Sequence, residues 1–393
     1  MRLYGCLSIL TLSRSLQYPN TMSSLTELSA RQDGANAKVV EVNSMHDRDG
    51  LRTGRGYPLI TVGIPTYNRA ALVKSCVESV FAQTYPNIEV MVSDNASTDD
   101  TLAVLKSIKD ERLRILTSVE NVGAIENFSR CIREARGDYL VLLSDDNLWV
   151  VTTFLEQCAC MIRAEPGLPI VLAAHDSLVL DEFHNNQRRI VPAVLSRKLP
   201  TGIWDGLEVL SEYCHGRISA GSLSVVVRTD ILRDNNRYSD VYRGVHDTAT
   251  WMPALLEGRA GLINTRCATY LIHGSSISTT IGPDDRLKDY ERAMDELAGA
   301  ALRKIPDSAR QRQVKGLAQR YLAYQAMITL VLYRRAGASL TDIVRKLWAW
   351  RTILTQCSLM DFVATARLRS VGRIVLPKPM VRLSMALGLD KLF

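Results

Sequence analysis

From residue 58 onward the chain alternates short apolar runs with amphipathic stretches. Pro58 to Asn68 is β-rich and closes on Pro65-Thr66-Tyr67-Asn68; Ala70 to Gln83 then places Leu72, Cys76, Val77, Val80 and Phe81 at helical spacing. The order repeats, with Ile88 to Ser93 reading as a strand, Thr101 to Ile108 as a helix, Leu113 to Thr117 as a strand and Gly123 to Ala135 as a helix. A fourth apolar run leads through Tyr139-Leu140-Val141-Leu142-Leu143 into Asp145 without polar alternation, as expected of a strand covered on both faces. Strands alternating with helices in this way predict an α/β fold built on a parallel sheet. In such sheets ligands bind in the crevice beyond the carboxyl ends of the strands, and all four ends here carry polar residues.

The sharpest of those ends is Asp145-Asp146. Adjacent carboxylates repel unless a cation or a proton separates them, so the pair points to a hard divalent metal with oxygen ligands. The same residues, with Asn147, would also suit the N-terminus of a helix starting at Leu148. Taken alone, the pair leaves both readings open.

Further blocks occur in order: Pro65-Thr66-Tyr67-Asn68-Arg69, Ser93-Asp94-Asn95-Ala96-Ser97-Thr98-Asp99, Asn121-Val122-Gly123, Ala135-Arg136-Gly137-Asp138-Tyr139, then Asp145-Asp146. Together they closely resemble family 2 glycosyltransferases, the inverting nucleotide-sugar enzymes of the GT-A fold, and within that family the bacterial surface-polysaccharide enzymes, the abequosyltransferase-like branch included. The resemblance implies a Rossmann-like, mixed and mainly parallel sheet flanked by helices. It also implies a metal-dependent transfer, using Mn2+ or Mg2+, from a nucleoside-diphosphate sugar of UDP or dTDP type to a hydroxyl of a glycan or lipid-linked glycan. Carried over by position, it assigns nucleotide contacts to Pro65, Tyr67 and Arg69, with Tyr67 stacking on a base and Arg69 reaching phosphate. Asp94, with Asn95 beside it, would read the base edge. Asn121, Gly123 and Asn127 would shape the loop over the donor sugar.

For the metal the resemblance points to Asp145 and Asp146, with Asp146 favoured as ligand and Asp145 directed to the ribose or sugar. Many relatives carry a third acid where this chain has Asn147, whose amide oxygen can still ligate a hard cation but brings no charge. An inverting transfer needs a base for the acceptor hydroxyl, and Asp247, in Val245-His246-Asp247-Thr248, matches the acidic motif that opens the acceptor-side helix. Relatives more often show Glu-Asp there, and a plain helix cap is the alternative role. His273, after Tyr270-Leu271-Ile272, resembles a histidine that approaches the diphosphate or metal.

Other candidates are weaker. Ser219-Ala220-Gly221-Ser222, ahead of a strand-like run from Leu223 to Val227, either lines the acceptor pocket or makes an ordinary turn. Trp204 and Trp251 are expected in the core rather than on a sugar ring. Cys158 and Cys160 lack a second pair or a nearby histidine at ligand spacing, so no zinc is assigned.

Composition and the chain ends set the outer limits. With 393 residues, 47% of them hydrophobic, the chain can bury one large domain with appendages, and its 8 scattered cysteines fit free thiols and a reducing, cytoplasmic setting. The expected division is a disordered extension over 1–56, with Met22 or Met45 as alternative starts, a GT-A domain over 57–284, and a helical C-terminal region over 285–393. That last region reads as helices from Asp285 to Arg303, Asp307 to Arg335 and Thr341 to Thr355. Basic residues interleaved with Leu, Val and Trp, as in Ile343-Val344-Arg345-Lys346-Leu347-Trp348, suit either a helical cap or contact with the anionic inner face of a membrane, and the net charge of +7 agrees with the latter. No apolar run reaches the length of a transmembrane helix. No nucleic-acid-binding module is present. Two other classes remain: an inactive sugar-nucleotide-binding or scaffolding protein, which Asn147 alone favours, and a nucleotidyltransferase, which would be expected to carry a glycine-rich phosphate loop after the first strand.

Overall fold

The computed structural model describes residues 56–181, 187–236, 238, 241–272, 281–335 and 337–354. The expected extension over 1–56 lies outside the described residues except for Gly56, and so do His273 and the chain beyond residue 354.

The first half is the βα alternation read above. Strand β1 (Ile60–Thr66) is followed by α1 (Ala70–Phe81), β2 (Ile88–Asp94), α2 (Thr101–Ser107), β3 (Leu113–Thr117), α3 (Ala124–Glu134) and β4 (Tyr139–Leu142). β1 pairs in parallel with both β2 and β4, and β2 pairs in parallel with β3, so the spatial order is β3-β2-β1-β4 and the strand ends lie on one edge. The second half extends the same sheet mostly by antiparallel pairing. It comprises β5 (Leu148–Trp149), α4 (Phe154–Ala164), β6 (Ile170–Asp181), β7 (Gln187–Val191), β8 (Gly202–Asp205), α5 (Gly206–Cys214), a 3-10 turn (Ser222–Ser224), β9 (Val225–Arg228), α6 (Thr229–Asp234), α7 (His246–Trp251) and β10 (Arg259–Ile272). β9 joins β4 to β6 in antiparallel fashion, and the long β10 runs parallel to β6.

Strand side chains serve two cores. In β4 and the residue after it, Leu140 and Leu142 enter one apolar cluster while Tyr139, Val141 and Leu143 enter the other, which is why the sequence shows an unbroken apolar run. Gly63 of β1 sits under α3, where an added Cβ would lie 3.1 Å from that of Cys131, so the helix packs directly on backbone. The first cluster continues without a break into α8 (Pro283–Lys304) and α9 (Ser308–Arg335): Ala293, Met294, Leu297, Val314 and Tyr321 pack with Tyr213, Trp251 and Leu255. A smaller cluster joins α9 to α10 (Leu340–Ala349) and α11 (Arg351–Leu354).

Two expectations change. β4 ends at Leu142, and Asp145 and Asp146 stand in the turn that follows it rather than at the strand's last position. The helix alternative for Leu148 onward is overturned, because Leu148 and Trp149 pair with Thr269 and Ala268 of β10 and the helix begins only at Phe154. Trp204 and Trp251 are core residues, and the six described cysteines are buried free thiols. Among the described residues no helix is long and apolar enough to cross a membrane.

Candidate active site

The carboxyl ends of β1 and β4, the loop before α3, the turn before β9 and the starts of α7 and α8 surround one cavity of about 600 Å³. Of the residues singled out in the sequence, Pro65, Tyr67, Arg69, Asn95, Asn121, Gly123, Asp145, Asp146, Asn147 and Asp247 line it. Asp94 does not. It is buried one residue behind Asn95, where one carboxylate oxygen accepts the Ser97 N–H at 3.2 Å and Oδ1 has no hydrogen-bond partner among the described residues.

Two loops are pinned at the β1 and β2 ends. Asn68 and Ala96 both adopt left-handed backbone, at φ 52° and 60°, a conformation costly for side-chain-bearing residues. Asn68 is held there by its Oδ1, which accepts the Thr98 N–H at 2.8 Å. Asn95 reaches across to the third loop, accepting the Val122 N–H and donating to Asn121 Oδ1 and the Gly123 carbonyl. Gly123, at φ 85°, meets the turn that starts α3. Buried Asn127 ties the two strand tips together by donating to the carbonyls of Thr66 and Ser93 and accepting from the Ser93 hydroxyl. Asn95, Asn121 and Asn127 thus shape the wall with contacts inside the chain.

The acidic turn is electrostatically loaded. Asp145 accepts from the Thr66 hydroxyl at 2.7 Å and lies 4.0 Å from the Arg69 guanidinium. Burial nevertheless pushes its carboxyl up to about 7, and the neighbouring charge of Asp146 adds to the rise, while Thr66 and Arg69 oppose it. Asp146 is half-buried and faces the cavity. The Asn147 amide oxygen accepts the Leu271 N–H at 2.9 Å, fastening the turn to β10. Among the described residues no group of three His, Cys, Asp or Glu forms a metal cluster; the carboxylates of Asp145 and Asp146, with the Asn147 amide beside them, are hard oxygen donors at this turn.

Asp247 is the second residue of α7 and faces the cavity from another side. Burial raises its carboxyl above the usual range, against hydrogen bonds from the Thr248 and Ser222 backbone. Its surroundings are aromatic. Tyr213, Tyr238 and Tyr290 line the same space, and burial first, then the charge of Asp247, raises the phenols of Tyr238 and Tyr290. Tyr238 is sandwiched between Phe128 and His246, with near-parallel rings 5.0 and 5.6 Å away. The loop before α7 is clamped to α8, where the buried Asp289 carboxylate accepts the Arg243 and Gly244 N–H groups at 2.6 and 2.8 Å.

Sequence reasoning missed Thr66, His175, Tyr213, Tyr238, Arg286 and Tyr290, all of which line the cavity. Only Thr66 stood inside a recognised block. The others come from elements distant in sequence and carry no local signature.

Residues 61–220 match the family model described as Glycosyl transferase family 2. Over that span, somewhat under half of the chain, it is similar to family 2 glycosyltransferases. The matched span contains Asp145 and Asp146 and stops before Asp247. The glycosyltransferase is 27% identical over 221 residues, 56% of its own length and 80% of the relative's, to UDP-Glc:alpha-D-GlcNAc-diphosphoundecaprenol beta-1,3-glucosyltransferase WfaP of Escherichia coli. A second E. coli relative, WfgD, has the same described activity and is 24% identical over 241 residues, 61% of this chain and 85% of the relative. Among solved structures, S. aureus TarS 1-349 in complex with UDP-GlcNAc superimposes with a TM-score of 0.57 and 17% identity over 84% of this chain and 92% of that one. That likeness establishes the GT-A type fold, including its C-terminal helices. A specifically abequosyltransferase-like identity is not among these findings.

Proposed function

We propose that this glycosyltransferase moves a sugar from a UDP-type donor to a hydroxyl of a lipid-linked glycan in bacterial polysaccharide synthesis, with inversion at the anomeric carbon and a divalent cation. The observation that carries the reading is the pair of acidic centres on one cavity: a carboxylate pair at Asp145-Asp146 and a separate, cavity-facing Asp247. The activities of the two E. coli relatives, as their names give them, support a UDP-sugar donor and a diphosphoundecaprenol-linked acceptor.

The acidic turn fits a cation. Burial and mutual repulsion already destabilise the charged form of Asp145, and a cation would relieve both. Asp146, with Asp145 beside it, would hold Mn2+ or Mg2+, which supplies charge neutralisation as the nucleoside diphosphate departs. Tyr67, 40% exposed at the cavity wall, offers a face to the base; Arg69 offers a cation to phosphate. Asp247 then takes the proton of the acceptor hydroxyl as its oxygen attacks, a task suited to a carboxylate whose proton affinity burial has raised.

The C-terminal helices would bring the enzyme to its lipid-linked acceptor at the inner face of the membrane. On α10, Leu340, Val344 and Trp348 form an outward stripe, 45, 62 and 70% exposed, beside Arg345 and with the Arg351 guanidinium 4.8 Å over the Trp348 ring, while Ile343 faces inward. An inactive scaffold finds no support.

The decisive experiment incubates the purified chain with radiolabelled UDP-glucose, Mg2+ or Mn2+ and GlcNAc-diphosphoundecaprenol and follows label into lipid. Asp146→Ala and Asp247→Asn should each lower transfer by about 100-fold or more with an unchanged melting profile. Wild-type turnover in Asp247→Asn would remove that residue from the base role.

A further inference from the structure

His175 stands in β6, where it pairs with Ala268 of β10, and its ring reaches the same cavity from beneath the Gly221–Ser224 turn. Its Nδ1 lies 3.3 Å from the Ser224 Oγ. That hydroxyl has one proton and donates it to the Gly221 carbonyl at 3.2 Å, while also accepting the Gly221 N–H. That arrangement of the hydroxyl proton is matched by the Nδ1–H tautomer of the imidazole, which donates to Oγ and leaves Nε2 with a lone pair. No hydrogen bond to Nε2 exists among the described residues. Gly221 has its own part, because a Cβ there would lie 3.1 Å from the His175 Cε1, between the two ring nitrogens, and would displace the ring. Burial holds the imidazole down at about 4, so it is neutral at physiological pH.

The turn that fixes His175 also fixes Asp247, which takes a backbone hydrogen bond from Ser222. The imidazole therefore borders the half of the cavity where the acceptor hydroxyl would meet its base, and the Asp145-Asp146 turn belongs to the donor half.

We infer that His175 is an acceptor-binding residue, its Nε2 receiving a hydrogen bond from a hydroxyl of the acceptor sugar so as to orient that sugar over Asp247; this rests on the glycosyltransferase reading above. A neutral ring acceptor is suited to the task. It can select a hydroxyl by direction without competing with Asp247 for the reacting proton.

The test separates the ring's two edges. His175→Asn keeps an amide at the level of Nδ1, able to meet Ser224, but withdraws from the cavity; His175→Gln places an amide at the level of Nε2. With UDP-glucose and GlcNAc-diphosphoundecaprenol, His175→Asn should raise the acceptor KM about tenfold, the effect of one lost hydrogen bond, with the donor KM unchanged, and His175→Gln should recover most of the loss. Equal losses in both variants, or an effect on the donor KM, would show a merely structural role and overturn the inference.

A second measurement stands apart from turnover. Long-range proton–nitrogen spectra of the wild-type chain, with His175 assigned through His175→Asn, should show an Nδ1–H tautomer. Its Nε2 resonance should move when methyl N-acetylglucosaminide is added in the presence of UDP and Mg2+. An Nε2 signal that ignores the glycoside sinks the inference even if the enzyme proves active, whereas absent turnover with a responding Nε2 sinks the assignment of donor and acceptor instead.

Discussion

Asp247 and Asp145 show how the setting differentiates one residue type. Both carboxyls are raised by burial, but Asp145 has the charge of Asp146 beside it, whereas Asp247 is walled by tyrosines. A base must be ionised to work, so kcat/KM should fall about tenfold per pH unit below the raised pKa of Asp247, placing the acid limb above the ordinary carboxylate range near 3.8. A pH–rate profile read beside that of Asp247→Glu checks this: the variant should keep an acid limb at a shifted position, and a limb that does not move belongs to another group. At this scale the sequence was legible where function needs an uncommon local pattern. Two adjacent acids after an apolar run stand out, while a histidine inside β6 or a tyrosine on α8 looks like any half-buried residue. Asn147 was read for its ligand chemistry, yet its oxygen holds Leu271, a partner 124 positions away that spacing could not reveal.

The elements of the first half were readable because local period and tertiary fate agree. Strands β1, β2 and β4 are buried on both faces, the edge strand β3 is half-buried and each helix is buried on one side, so apolar runs and helical spacing mark them directly. The loops between them owe their shape to contacts across elements, with Asn127 of α3 joining the tips of β1 and β2. Asn127→Ala would take the amide donor from the Ser93 carbonyl and the acceptor from the Ser93 hydroxyl, while the Thr66 carbonyl keeps the Asn95 N–H, costing about 1–3 kcal/mol. Urea unfolding should show that loss, and the thermal shift given by UDP with Mg2+ should shrink with it; an unchanged UDP response would mean the strand tips keep their shape without the clamp. The strand at Leu148–Trp149 was not readable, since two residues have no period and only the pairing with β10 makes them a strand.

For the whole molecule, the C-terminal helices build the cavity as well as the periphery. α8 gives Arg286 and Tyr290 to the cavity, and its Asp289 holds the loop leading to Asp247. Asp289→Ala leaves two backbone N–H groups without their acceptor, a cost of about 2–4 kcal/mol. It should depress transfer while leaving the UDP thermal shift near wild type, because the proposed donor half of the cavity lies at the ends of β1 and β2 and on the Asp145 turn; equal loss of both would disprove that division. The α10 stripe is tested separately. Trp348→Glu should weaken sedimentation with vesicles rich in anionic lipid and leave binding to UDP unaltered, and undiminished sedimentation would remove the stripe from membrane contact.

By itself the sequence determined the βα order, the side of the sheet on which polar residues gather and the acidic pair beyond the fourth strand, because those follow from periodicity and from residues adjacent along the chain. Tertiary structure alone decided that Asp247, His175 and the tyrosines of α5 and α8 face that pair across one cavity, and that Asp94 stays behind its wall. Those placements arise from antiparallel pairing in the second half of the sheet and from helices packing onto a shared core, where contacting residues are far apart in sequence and leave no repeat to read.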